Sequence, residues 1–226
     1  MFPTNGHTRG SSLQQQAHQE SLDDPQGFWM KHALDLVDWE QKPTIAISKT
    51  STENLHKALW FPDGRLNVCF NAVDRHVLQG RGNQVAIIYD SPVTDTVRKY
   101  TYSELLREVQ AFAGVLKKHG VVRGDTVLIY MAMVPQTLFA MLACARLGAI
   151  HSVVFGGFAP SELAKRISDC QPKVILSNTC GLESKTKIVP YKPLLDEALV
   201  LADYRPQATI ILQREQLRVA LDPSKN

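Results

Sequence analysis

The sequence predicts an α/β fold: a mostly parallel sheet flanked by helices and preceded by a helical lead segment. Three observations lead there. From residue 126 onward short continuous apolar runs alternate with helical patterns, the runs are of strand length rather than helix length, and glycine or proline separates them. Strands apolar on both sides and joined through helices belong in a parallel sheet covered on both faces, which also predicts right-handed crossovers.

The first 23 residues are rich in Gln, Ser, Gly and His and lack apolar periodicity, so they predict a disordered tail. From Phe28 and Trp29 through Ala33, Leu36, Val37 and Trp39 apolar residues recur at helical spacing, giving an amphipathic helix that needs a surface to rest on. Asp63-Gly64 marks a turn, and Leu66 to Leu78 follows as a helix with Leu66, Phe70, Val73 and Val77 on one face. Residues 24–80 therefore form a helical lead segment. Asp74-Arg75-His76 contains relay-type residues, but neighbours at i and i+2 on a helix diverge, so polar anchoring of the helix is the expectation.

The remaining residues, 81–226, form the sheet domain. Val85 to Tyr89 is a strand and Asp90 to Asp95 a loop. Thr101, with Glu104 three residues on, makes a capping box for a helix that buries Leu105, Val109, Phe112 and Leu116 and ends at Gly120. Strands are then predicted at Thr126 to Met131, Ile150 to Phe155, Lys173 to Ser177 and Thr209 to Leu212. Helices are predicted after Pro135, after Pro160 and at Leu194 to Leu201.

Composition narrows the function classes. A hydrophobic content of 44% with 21% charged residues marks a globular chain, and a net charge of +3 with dispersed basic residues argues against nucleic acid or an anionic membrane as partner. Cys69, Cys144, Cys170 and Cys180 lack zinc-type spacing and fit reduced thiols in an intracellular setting, the cytoplasm ahead of the mitochondrial matrix. No apolar run reaches membrane-spanning length. Dinucleotide, P-loop and nucleophile-elbow motifs are all missing, and the seven histidines show no metal-ligand pairing, so no metal site is expected. His151, at the start of a strand, reads as a hydrogen-bonded core residue.

Ligands of an open parallel sheet bind beyond the carboxyl ends of its strands. Gly156-Gly157, after the strand ending at Phe155, is the first candidate: a place for a backbone or a thin ligand chain to approach closely, or simply a tight turn. Thr179-Cys-Gly-Leu-Glu-Ser-Lys-Thr-Lys187 is the second. Lys185 and Lys187 there could hold a phosphate or form an ordinary solvated loop.

The run Met141-Leu-Ala-Cys-Ala-Arg-Leu-Gly-Ala-Ile-His-Ser-Val-Val-Phe-Gly-Gly-Phe158 closely resembles a segment of the short-chain acyl-CoA synthetases, the acetate- and propionate-activating branch of the adenylate-forming enzymes. Further blocks share the resemblance in the family's order: Asp24-Pro-Gln-Gly-Phe-Trp29, Trp60-Phe-Pro-Asp-Gly64, Asn67-Val-Cys-Phe-Asn-Ala-Val-Asp-Arg-His76, Tyr100-Thr-Tyr-Ser-Glu-Leu105 and Gly124-Asp-Thr-Val-Leu-Ile-Tyr-Met131. Ile87-Ile-Tyr-Asp-Ser-Pro-Val-Thr94 and Tyr191-Lys-Pro-Leu-Leu-Asp-Glu-Ala198 look more like the propionate-preferring branch.

The resemblance implies an enzyme that uses ATP and Mg2+ to turn propionate or acetate into an acyl-adenylate and then transfers the acyl group to CoA. It implies that Glu183, Ser184, Lys185 and Thr186 contact the nucleotide end of CoA and that Gly157 lines the path of its thiol. The family's basic residue at position 186 is Thr here, with Lys185 or Lys187 as substitute point charges. No catalytic residue is assigned. The family's Thr-Ser-Gly-Thr-Thr-Gly-x-Pro-Lys phosphate loop and later motifs do not occur. The expectation is therefore an incomplete N-terminal part of such an enzyme, inactive alone, without ATP and Mg2+ sites, and prone to self-association through an unpaired sheet edge. The alternatives are a non-catalytic CoA- or partner-binding module, or an interaction protein that uses the helix from Pro25 to Trp39.

Overall fold

The structure is a computed structural model and describes residues 8–48 and 58–221. Expectations for residues 1–7, 49–57 and 222–226 lie outside the described residues. The chain divides into two compact units, residues 1–67 and 68–226.

The smaller unit begins with α1 (Thr8–Asp23) and α2 (Pro25–Leu36). α1 replaces the expected tail. Its sequence has no apolar stripe, but Leu, Gln, Ala and Glu are good helix formers, so periodicity misses a helix that propensity permits. At α2 the Asp24 carboxylate accepts from Gly27 N at 2.9 Å, and Pro25 takes a first-turn position where no N–H is required. β1 (Ile47–Ser48) and β2 (Leu59–Trp60) pair antiparallel. Gln26 holds β1 through both ends of its amide, donating to Ile47 O at 2.8 Å and accepting from Ala46 N at 2.9 Å. Asp63 accepts from the backbone N and the hydroxyl of Thr44 at 2.8 and 2.6 Å, and these bonds lower its pKa.

The larger unit opens with a helix from residue 68 that is π-type at Phe70–Asp74 and again at Val77–Arg81, where Gly80 (φ +80) breaks the helical backbone. Its wider turns put Cys69 beside Val73 on the buried face and leave Phe70 exposed, and Leu66 stands exposed before the helix begins, correcting the face predicted from regular helical spacing. Cys69 and Val73 join the core of the larger unit, so residues 68–80 pack there rather than with the lead segment. Asp74 forms the expected anchor: Arg146 Nη1 donates to its two oxygens at 2.9 and 2.8 Å.

β3 (Val85–Ser91) and β4 (Thr96–Thr101) form an antiparallel hairpin. The capping box at Thr101 is present, with Glu104 N donating to Thr101 Oγ1 at 3.2 Å and Thr101 N to Glu104 Oε2 at 2.8 Å, and it opens α3 (Tyr102–Lys118). β5 (Thr126–Met131), α4 (Pro135–Leu147), β6 (Ile150–Phe155), α5 (Pro160–Cys170) and β7 (Val174–Asn178) follow. A second hairpin, β8 (Cys180–Leu182) with β9 (Ile188–Pro190), stands where the sequence suggested only a loop. α6 (Tyr191–Leu201) and β10 (Ala208–Leu212) complete the unit. α6 starts before the predicted Leu194 because Pro193 sits in its first turn, where proline is tolerated.

The sheet is parallel in the order β10-β7-β5-β6. Val127, Ile129, Met131, Val174 and Leu176 face a core shared with residues of α3 and α4. Leu128, Tyr130, Val154 and Ile175 face a second core shared with α5 and α6. This is the predicted fold class, with helices on both faces. Buried β5 and β7 occupy the centre, while β6 is an edge carrying exposed Ile150, Val153 and Phe155. His151 is exposed on that edge, which corrects its reading as a core residue: an apolar run does not distinguish a central strand from an outer one. No helix among the described residues is long and apolar enough to cross a membrane.

Candidate functional site

Chain connections leave β5 toward β6 and leave β7 toward β10, so the loops beyond their adjacent carboxyl ends part in opposite directions. Such a switch point leaves a crevice. A trough of about 750 Å3 lies there. One wall is the β3–β4 hairpin from Tyr89 to Val93, another is Met131 to Val134 beyond β5, and Phe155 to Gly157 and Gly181 to Glu183 supply the rest.

Buried polar contacts fix these loops. Asn178, fully buried at the end of β7, accepts from Ala132 N at 3.1 Å, and Thr137 of α4 donates to Ala132 O at 2.7 Å. Tyr130 does the same beyond β6: its hydroxyl donates to Phe158 O and accepts from Gly157 N, both at 3.2 Å. Burial pushes the Tyr130 phenol up to about 12, so at neutral pH it remains a protonated donor.

Tyr191 lies in the trough beside Tyr130, ring centroids 5.1 Å apart. Two glycines make room for it. A Cβ on Gly156 would stand 2.5 Å from the Tyr191 hydroxyl oxygen and 2.9 Å from Met131 O; one on Gly181 would stand 2.3 Å from that hydroxyl. Gly157 has φ +94, a conformation that favours glycine on its own account. Gly157 thus makes a tight turn, while Gly156 leaves room for the Tyr191 ring and the Met131 carbonyl.

Of the residues indicated by sequence, Gly157 and Glu183 line the trough. Ser184, Lys185, Thr186 and Lys187 form the tip of the β8–β9 hairpin beside it. Ser184 Oγ accepts from Lys187 N at 3.0 Å and shapes that tip. Both lysines have carboxylate partners: Lys185 Nζ lies 2.6 and 2.7 Å from the Asp95 oxygens, and Lys187 Nζ lies 2.5 Å from Glu183. A phosphate at either lysine would have to displace its partner. Sequence reasoning missed Tyr191, Arg214 and the Met131–Val134 wall. Tyr191 stood out only as part of a block resembling one branch of a family, since its glycine partners are remote in the chain.

The remaining titratable groups are less suited to chemistry. Cys69, Cys144, Cys170 and Cys180 are free thiols; burial raises Cys69 and Cys170 and pushes Cys144 up to about 12, which disfavours the nucleophilic thiolate. Among the described residues no group of three or more His, Cys, Asp or Glu converges on a metal-sized site.

Comparison with known proteins gives this geometry a family. Residues 74–223 match the model of the AMP-binding enzymes, and residues 14–72 match the acetyl-coenzyme A synthetase N-terminus. The chain belongs to the AMP-binding enzyme family. Its similarity to the human mitochondrial acyl-CoA synthetase short-chain family member 3 is 45% identity over 96% of this chain and 31% of that protein. An acetyl-coenzyme A synthetase of Xanthobacter autotrophicus is 43% identical over 94% of this chain and 32% of its own length. An uncharacterized protein of Pseudomonas aeruginosa is 49% identical over 93% and 33%. The chain thus spans about a third of the length of the curated relatives it matches. Within this family member the two matches meet close to the start of the larger unit, at 72/74 against 67/68.

Proposed function

We propose that this chain supplies the scaffold and the thiol-side wall of an acyl-CoA synthetase that activates a short carboxylate, propionate or acetate. ATP, with Mg2+, would convert the carboxylate to an acyl-adenylate and pyrophosphate, and the CoA thiol would then displace AMP. Adenylation makes the carboxyl carbon electrophilic and provides a stable leaving group. The single observation that carries the reading is the trough at the switch point, with Gly156 and Gly157 at its rim and the Glu183–Lys187 hairpin beside it.

Division of labour follows from the residues present. The Gly157 backbone would admit a thin thiol-bearing chain beside Tyr191, with Tyr130 holding Gly157 N in place. Lys185 and Lys187 at the hairpin tip would meet the phosphates outside the trough, each exchanging a carboxylate for a phosphate oxygen. No acidic cluster among the described residues fits Mg2+, so no step through the metal is assigned to these residues. An intracellular setting is favoured by the free cysteines.

On this reading the 226-residue chain binds CoA but does not adenylate. Calorimetric titration with CoA, paired with propionate-dependent ATP–pyrophosphate exchange, tests both halves. CoA binding with no exchange is the expected result. Exchange above background would overturn the division of labour, and no CoA binding would overturn the thiol-side assignment.

A further inference from the structure

Tyr191 combines a ring packed into the second core with a hydroxyl that this packing leaves unused. Its side chain is buried, with only 6% of the residue exposed, yet its hydroxyl meets no hydrogen-bond partner among the described residues and borders the trough. The oxygen is not among the buried polar atoms left without a partner, so it stays open to solvent and to a ligand group in the trough. Here Gly156 and Gly181 close around the hydroxyl from two strand ends, and neither can hydrogen-bond it through a side chain. The ring is thus seated firmly while its polar tip faces the space a ligand would fill.

The surrounding charges select the chemistry. Asp90 and Glu183 line the trough against Arg214, whose Nη1 already donates to Cys180 O at 3.1 Å. Glu183 is already paired with Lys187, and Asp90 and Arg214 balance each other among the lining residues, so no positive excess draws a phosphate inside. Met131, Val134, Val154 and Leu182 supply apolar wall, which suits a neutral, mostly aliphatic chain carrying an occasional polar group. An amide-bearing thiol chain has that composition. We propose that the Tyr191 hydroxyl is a ligand-binding group that hydrogen-bonds an amide of such a chain where it passes Gly156 and Gly157.

This assignment rests on the thiol-side reading of the trough and adds a residue that determines which chain is accepted. Tyr191→Phe keeps the ring between the two glycines and removes only the hydroxyl, so the fold survives and the polar contact is tested alone. The probe is pantetheine, which carries the amides and thiol without phosphates, titrated calorimetrically into the full 226-residue chain and its variants. Loss of one neutral hydrogen bond should weaken pantetheine roughly 3- to 10-fold. Lys185→Ala should leave pantetheine affinity unchanged while weakening CoA. Pantetheine affinity unchanged in Tyr191→Phe would overturn the assignment of Tyr191 alone. If the wild-type chain binds CoA but not pantetheine, the assignment fails and the phosphate contacts carry the affinity. If it binds neither, both this assignment and the thiol-side reading fail.

Discussion

Placing a methyl group at Gly181 tests the glycine seat directly. Each of the three atoms nearest an added Cβ belongs to Tyr191: the hydroxyl oxygen at 2.3 Å, Cζ at 2.6 Å and Cε1 at 2.8 Å. None is backbone, and the ring is boxed in by Tyr130, so it cannot swing clear without disturbing the second core. Overpacking of this kind costs about 1–3 kcal/mol, and Gly181→Ala should destabilise the larger unit by that amount. Tyr191→Leu removes all three offending atoms while keeping an apolar side chain on α6. In that background Gly181→Ala should cost about 0 kcal/mol or stabilise slightly, because alanine loses less chain entropy than glycine in a strand. The coupling between the two changes should then be about 1–3 kcal/mol. Urea unfolding followed by circular dichroism is the suitable assay, since Trp29, Trp39 and Trp60, all the tryptophans of the chain, precede Val68. Additivity to within about 0.5 kcal/mol would refute the seat.

Other expectations follow from single contacts. Arg146→Ala removes the Nη1 donor shared by both oxygens of the mostly buried Asp74, so the helix that begins at residue 68 should loosen at a cost of about 1.5–3 kcal/mol, read as a lower urea midpoint. Asp125 has its pKa lowered first by the Lys173 hydrogen bond and then by Val122 N, so its stabilisation is present above the ordinary value of 3.8 and is lost as pH falls through the lower folded value. Wild type should accordingly be more stable than Asp125→Asn at neutral pH, with the gap closing below pH 3.8; a gap independent of pH would contradict this. Asp95→Asn frees Lys185 from an exposed ion pair, and CoA should bind roughly 2- to 5-fold more tightly at low salt with pantetheine unaffected. Cys144 should react with a thiol reagent at neutral pH only upon unfolding, which rapid labelling of the native chain would disprove.

The sequence was most informative where one signal had one structural meaning. β5 and β6 begin and end where their apolar runs do, and Thr101 with Glu104 set the start of α3 because a capping box is local chemistry. Strand position was not legible: the apolar runs of β5 and β6 look alike, although one is fully enclosed and the other exposes Ile150, Val153 and Phe155. The β8–β9 hairpin escaped notice because three residues per strand carry no period, and the helix over residues 68–79 was found but its buried face misplaced, because wider turns shift the phase. Gly157 and Glu183 could be placed at the carboxyl edge of the sheet from the strands they follow. Tyr191 could not, since its role depends on Gly156 and Gly181, which meet it only after β6, β7 and α6 have assembled.

The strand order also schedules assembly on the ribosome. β5, α4 and β6 emerge consecutively and lie side by side, so this first unit can pair before the rest of the sheet has been synthesised. β7 must then bypass β6 and add to the opposite margin of β5, and β10 adds beyond it. Until β7 arrives, the strand destined for the centre presents an open flank, making the interval between residues 155 and 174 the time when the nascent polypeptide is most in need of protection from premature pairing.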